Sequence, residues 1–443
     1  MAHPYAHNAI SDISGISVSE YPAYPYHRVP LHSTKLPPGP ESDDSSASQQ
    51  PLLADAYTRH FVKQDGLITL ILAGHKGGDQ VPLYTGGSLV DGLVTLSKAS
   101  GITSITVKLE GSIKVKETAS EGPASTVLVS DTLYSWDQML HAGHAPSEFS
   151  FRGKLPVYYL DGRKRGLSLL PPSYDARMSA LLGFRVAVQY EFVVSVTRTR
   201  DLPLLWKKTA RLRVPFVYRV LTRPAAAGPF PSVPTLAPKH PRTLFTDVIL
   251  SRKAGAPPME VQIYLPKSQI SPLTDAIPFR ISLRAPDACL APFLAFSSPL
   301  TSFHPLSPPP SVASLVARRG VPTRAPLRVT LERYTTADTR ATGVVVLGKR
   351  RARITSRAVL ADGLLHRGEQ GRGWVSWWGD VGVPPTVDCG GFEASRLTVE
   401  DVLVVTIEPH GVDTHVLPFR RGVPVQLTTS SAKTASAIKV AEK

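Results

Sequence analysis

The chain has 443 residues and a mass of 47.9 kDa, with 42% hydrophobic and 19% charged residues, enough for two domains of ordinary size and a sizeable core. Its 41 prolines, roughly 9% of the chain against a usual ~5%, and its 32 glycines exclude a helical bundle or a coiled coil, since both residue types interrupt helices. Two cysteines, Cys289 and Cys389, give neither a disulfide framework nor a CxxC metal site, and no stretch reads as a secretory signal or approaches ~18 consecutive apolar residues, so the expectation is a soluble, cytosolic, proline-rich β protein.

Residues 1–64 read as a disordered tail, because LPPGPESDDSSASQQP (36–51) has almost nothing to bury. Order is expected from Gly66 with GLITLILAG, then GSLVDGLVTL, then ITSITVKLEG, where Ile105, Val107 and Leu109 alternate with Thr106 and Lys108. The strongest periodic signal lies at 184–196. There Phe184, Val186, Val188, Tyr190, Phe192, Val194 and Val196 occupy every second position, the period of a strand with one buried face. Leu212, Val214, Phe216 and Tyr218 repeat the pattern. The Pro/Ala-rich stretch 223–242 reads as a linker. Beyond it, alternation resumes at Val261, Ile263 and Leu265, at Phe279, Ile281 and Leu283, and at Leu327, Val329 and Leu331, ending in the strands 401–409 and 423–429. A Pro/Ser-rich insertion near 296–326 interrupts this half, and 430–443 is a short tail. YDARMSALLG (174–183) is the best helical segment and is at most two turns. The fold expected is all-β: two antiparallel, immunoglobulin-like β-sandwiches in tandem, at 65–222 and 243–429.

The net charge is +15, and it is uneven. Residues 1–64 hold four basic and six acidic residues, a net of −2, so the rest of the chain carries +17. Basic clusters fall at Arg163-Lys164-Arg165, at Lys207, Lys208, Arg211 and Arg213, at Arg198 and Arg200, and at Lys349-Arg350-Arg351 with Arg353. Their candidate partners are a phosphorylated or acidic peptide, anionic lipid and nucleic acid. Solvated strand faces explain such clusters equally well. Against nucleic acid stand the 7% aromatic content, with no rings interleaved among the basic clusters, and the absence of a DNA- or RNA-binding motif.

Several pieces in fixed order carry a family resemblance: Gly92-Leu93-Val94, Leu109-Glu110-Gly111, Phe149-Ser150-Phe151 with Leu155-Pro156, Leu170 to Tyr174, and the long strand after it. Together they resemble the N-terminal domain of the α-arrestins and fungal arrestin-like proteins. VQIYLPKSQISPLTDAIPFRISLRAP (261–286) is similar to the opening strands of the arrestin C-terminal domain. The resemblance covers roughly 66–222 and 243–429 and is looser after residue 290. It implies a non-enzymatic adaptor, without cofactor or metal, that docks on cytosolic segments of membrane transporters or receptors from the cytoplasmic side of the plasma membrane or of endosomes. In that family, PPxY motifs recruit HECT-type ubiquitin ligases through WW domains. Pro171-Pro172-Ser173-Tyr174 has the PPxY form, and consecutive prolines favour the polyproline II conformation that WW domains grip. In that family the LPPS[FY] position is also a turn leading into the domain's own sheet, where the aromatic ring is often packed inside, so the resemblance equally implies a structural role for these residues.

Enzymatic readings find little support. GHKGGDQ (74–80) and TGGSLVDG (85–92) lack the GK[ST] ending of a phosphate-cradling loop. No GxSxG elbow exists, and His141 and His144 lack further ligands at metal spacing. Trp374, Trp377 and Trp378 read as a plug at the end of a sandwich. ESDDSS (41–46) places serines beside acids, a pattern open to phosphorylation.

Overall fold

The computed structural model describes residues 60–75, 80–117, 124–141, 143–178, 184–199, 207–222, 242–252, 255–266, 269–294, 325–338, 345–346, 349–350, 353–408 and 416–430. These residues are almost entirely β-strand. The first half contains β1 (His60–Asp65), β2 (Ile68–Ala73), β3 (Leu83–Thr85), β4 (Leu89–Leu96), β5 (Ile102–Glu117), β6 (Ala124–Asp137), β7 (Glu148–Lys154), β8 (Tyr158–Asp161), β9 (Gly166–Leu169), β10 (Tyr174–Met178), β11 (Phe184–Thr199) and β12 (Lys207–Arg219). One sheet has the order β1-β2-β4-β7 and the other β3-β12-β11-β5-β6. β10 and β12 share one edge of β11, the former pairing with its start and the latter with its end. β8 and β9 form a hairpin of their own.

The two sheets face each other because each has one apolar side. Leu70, Val90 and Val94 from the first sheet and Ile105, Leu109, Val188, Phe192 and Val214 from the second lie in a single buried cluster. β11 runs 16 residues, roughly 50 Å at ~3.4 Å per residue, and its predicted apolar face is buried throughout. Two glycines make the facing layers fit. Gly92 lies opposite Phe151, and Gly111 opposite Tyr190. A Cβ on Gly92 would come within 2.3 Å of the Phe151 ring, and one on Gly111 within 2.6 Å of the Tyr190 ring. Each glycine gives way to an aromatic across the sheet.

The second half contains β13 (Arg242–Ile249), β14 (Met259–Pro266), β15 (Ile270–Pro272), β16 (Ile277–Arg284), α1 (Asp287–Leu294), β17 (Leu327–Asp338), β18 (Val345–Val346), β19 (Lys349–Arg350), β20 (Arg353–Asp362), β21 (Leu364–Gly371), β22 (Trp374–Val381), β23 (Phe392–Ala394), β24 (Leu397–Ile407) and β25 (Phe419–Thr428). Its sheets run β13-β14-β16-β22-β21 and β15-β25-β24-β17-β20. The wiring repeats that of the first half. In each, the third strand crosses to the opposite sheet and pairs in parallel with the last one, β3 with β12 and β15 with β25. In each, a short strand shares an edge with that last strand, β10 on β11 and β23 on β24. A second buried cluster, with Val261, Ile281, Leu331, Trp377 and Val405, fills the space between these sheets.

Three features differ from the sequence reading. Tyr174–Met178, read as a helical turn, is a strand, because the open edge of β11 supplies its backbone partners; residues 179–183 lie outside the described residues. The one described helix, α1, buries Cys289, Leu290 and Phe293 and places Phe293 edge-on to Trp377; its interior Pro292 masks it in the sequence. β1 opens at His60, inside the stretch read as tail. As an edge strand it buries only Phe61 and shows no alternation. Residues 1–59, 223–241, 295–324 and 431–443, which hold most of the expected tails, linker and insertion, lie outside the described residues. No helix among the described residues is long and apolar enough to cross a membrane.

Candidate binding site at the junction of the two halves

The β8–β9 hairpin carries Arg163, Lys164 and Arg165 at its tip, and the tip reaches the second half. Asp161, 1% exposed, holds the turn: its Oδ1 accepts the Arg163 backbone N–H at 2.9 Å and its Oδ2 the Tyr159 hydroxyl at 3.3 Å. Burial, followed by the Asp161 carboxylate, pushes the Tyr159 phenol up to about 12. Arg165 closes the turn in the left-handed region, at φ 50°, a conformation that costs most side chains energy. The tip thereby projects Arg163 onto Asp338, at the end of β17, as an ion pair. Arg163 Nη1 also donates to the Ser395 carbonyl at 3.2 Å, and Lys164 Nζ lies 3.0 Å from Glu393 Oε2. Ser395, at the β23–β24 turn, is left-handed as well, at φ 40°. Two strained turns thus meet, one from each half.

Between them lies a cavity of about 190 Å³, lined by Arg163, Lys164, Asp338, Arg353, Glu393 and Arg396. Arg163 and Lys164 are matched by carboxylates, whereas Arg353 and Arg396 have no ion pair among the described residues. Four cations against two anions leave the cavity net positive. It is suited to a small anionic group and has no metal-ligating set; among the described residues no group of three or more His, Cys, Asp or Glu could hold a metal.

Beneath the cavity the halves share apolar surface. Ala337, Ile354, Ala394, Leu397 and Val399 of the second half belong to the core of the first. The PPSY segment lies at this seam. Pro171 and Pro172 are buried, and the Tyr190 hydroxyl donates to the Pro171 carbonyl at 2.7 Å. Ser173 and Tyr218 exchange two hydrogen bonds, at 2.8 and 2.9 Å. The Tyr174 ring meets Phe392 edge-on at 5.4 Å, and its hydroxyl lies 2.7 Å from Thr335 Oγ1; burial raises its pKa. A WW groove needs the outer faces of both prolines and the tyrosine ring. Here those faces point inward, so this segment could be gripped only after leaving the fold.

Behind Tyr174, Arg333 and Asp401 form a buried pair. Arg333 Nε donates to Asp401 Oδ1 at 2.7 Å, and its Nη2 to Asp401 Oδ2 at 3.0 Å and to the Cys389 carbonyl at 2.7 Å. Farther along, Thr222 and Thr429 exchange backbone-to-hydroxyl bonds at 2.8 and 3.0 Å, joining the ends of the two halves.

Of the other candidates, Arg198 ends β11 far from this seam, its Nε and Nη2 buried without a hydrogen-bond partner among the described residues. Lys349 and Arg350 form β19, whose side chains lie outside the described set, as do Arg200 and Arg351. Among the described residues, Arg163 and Lys164 of the hairpin cluster and Arg353 of the Lys349–Arg353 cluster reach the junction, and Arg198 does not. Arg353 stands out in the sequence as the end of a basic cluster, but Asp338, Glu393 and Arg396 escaped sequence reading because each is an ordinary surface residue type more than 170 positions away from the hairpin it meets. The one local hint was DGRKRG, whose glycines bracket a tight turn with a charged tip. No known protein-family profile matches the chain, and no curated protein matches it.

Proposed function

We propose that this chain is an arrestin-like adaptor, built of two β-sandwiches, that docks on cytosolic segments of membrane transporters or receptors and links them to ubiquitination and endocytosis. The observation that carries the reading is the duplicated strand order, joined at a charged seam, in a chain whose motif residues have structural partners. Gly92 and Phe151 fit each other, as do Gly111 and Tyr190. The net-positive cavity, whose Arg353 and Arg396 have no ion pair among the described residues, suits an acidic or phosphorylated cargo segment. Ligase recruitment on this reading does not run through Pro171–Tyr174 in the folded protein, because that segment is committed to the seam.

Proximity labelling with the full-length protein tests the proposal. The expected result is enrichment of plasma-membrane or endosomal transporters and receptors together with a WW-domain ubiquitin ligase. A bait carrying Arg353→Ala and Arg396→Ala should lose cargo and keep its fold. Enrichment of nucleic-acid-binding complexes without any membrane cargo would overturn the adaptor reading.

A further inference from the structure

The six-stranded sheet of the first half has an outer face that no described element covers. Strand register fixes what stands on it. Lys108, Lys114 and Lys116 of β5, Arg177 of β10, and Arg211 and Arg219 of β12 all point outward, and none has an ion pair among the described residues. Two further arginines are paired: Arg185 with Asp175, and Arg213 with Glu191 at 2.5 Å. With Glu110 and with Asp137 of β6, the face holds eight cations against four acids, net +4.

Two features set this face apart from an ordinary solvated sheet. The first is its arrangement. Lys116, Arg185 and Arg177 stand side by side across β5, β11 and β10, each directly opposite the next. Like charges placed directly opposite destabilise a sheet, so this row works against folding. The second is its shape. Lys108 and Lys116 are eight residues apart on β5, and Arg211 of β12 stands across β11 from them, with Arg219 farther along β12, past the end of its pairing with β11 and beside Thr85 of β3. At ~3.4 Å per residue and ~4.8 Å per strand, the patch is about 27 Å long and 10 Å wide. On the central strand β11, Ala187 and Val193 are only 4% exposed, so long cationic side chains rise around a low floor.

We propose that this face is a docking surface for an anionic lipid membrane. A plane of headgroup phosphates and carboxylates meets at once all six cations that have no ion pair among the described residues. A nucleic-acid duplex is a cylinder and would touch the flat patch along one line, and the described face carries no aromatic ring on which a single strand could stack. The surface is separate from the junction cavity, and its lipid binding does not depend on any cargo.

The test is vesicle co-sedimentation of the full-length protein. Vesicles of phosphatidylcholine with about one-fifth phosphatidylserine should retain the protein at low salt, and pure phosphatidylcholine vesicles should not; each cation at an anionic surface contributes about a fivefold change in partitioning. The triple variant Lys116→Gln, Arg177→Gln, Arg219→Gln should therefore bind roughly 100-fold more weakly while its melting temperature stays the same or rises. A control with the same loss of charge elsewhere, Lys154→Gln, Arg284→Gln, Arg372→Gln, should bind nearly as well as the parent. Equal loss in both variants, or retention by neither vesicle type, overturns the proposal. Displacement from vesicles by duplex DNA at lower charge concentration than by added anionic lipid overturns it in favour of nucleic acid.

Discussion

Replacing Asp401 by alanine should destabilise the protein more than any surface substitution. Arg333 and Asp401 are 6% and 3% exposed, so both charges are held out of water. Burial alone would lower the Arg333 pKa, but the hydrogen bonds and charge of Asp401 outweigh it and hold the guanidinium above its ordinary value. Asp401→Ala removes two of the three acceptors around a cation that cannot discharge; only the Cys389 carbonyl remains. Removing one partner of a buried pair costs about 3–5 kcal/mol. For a melting unit of 150–250 residues, at about 2–4 °C per kcal/mol, the melting temperature should fall by roughly 6–20 °C. Differential scanning calorimetry measures this, and the double variant Arg333→Met, Asp401→Leu should recover most of the loss, because neither charge is then stranded. A fall of less than about 2 °C for Asp401→Ala, or a double variant as unstable as the single one, would refute the claim that the pair is desolvated and mutually dependent.

Other outcomes follow from single sites. Gly111→Ala should cost about 1–3 kcal/mol by overpacking, since its Cβ would meet Tyr190 and Val129 at 2.6 Å; urea denaturation reads this, and Tyr190→Leu in the same background should relieve part of it. Glu332 is 0% exposed. Burial raises its pKa, but hydrogen bonds from Tyr334 and Arg420 outweigh that and hold it below its ordinary 4.5. Its stabilisation is therefore full above about pH 4.5 and lost as pH falls through the lowered folded value. Glu332→Gln should flatten the acid limb of stability against pH, and an unchanged limb would count against this network. Cys389, whose thiol burial pushes up to about 12, should resist alkylation at pH 8 until the protein is unfolded. Rapid labelling of the native protein at Cys389, read by mass spectrometry, would contradict its placement.

The strands were legible where burial is one-sided. At 184–196 the alternation of Phe184 to Val196 survives because only one face of β11 meets the opposing sheet, and the same holds at Leu212–Tyr218. Where burial is two-sided or slight, the pattern fails. In β17 the alternation of Leu327, Val329 and Leu331 stops where the strand buries Glu332 and Arg333, and β1 buries a single residue. The repeated wiring left no trace in the sequence, since strand order is a property of pairings between distant segments. The junction was half visible. The charged hairpin tip could be named from DGRKRG, but its acceptors Asp338 and Glu393 sit on another half of the chain and acquire meaning only when folding brings them together.

One strand serves two interiors. Leu397 and Val399 of β24 lie in the core of the first half, whereas Leu403, Val405 and Ile407 lie in that of the second. During synthesis the first half is complete more than 170 residues before Leu397 appears, so the end of β24 emerges onto a surface already formed. That order suits vectorial folding on the ribosome. Reversing it, by expressing the second half alone, leaves Ala337, Leu397 and Val399 facing water at the end of an otherwise complete sheet. Such a fragment should be sticky and poorly soluble. The two halves are thus copies in wiring and unequal in dependence: the second leans on the first.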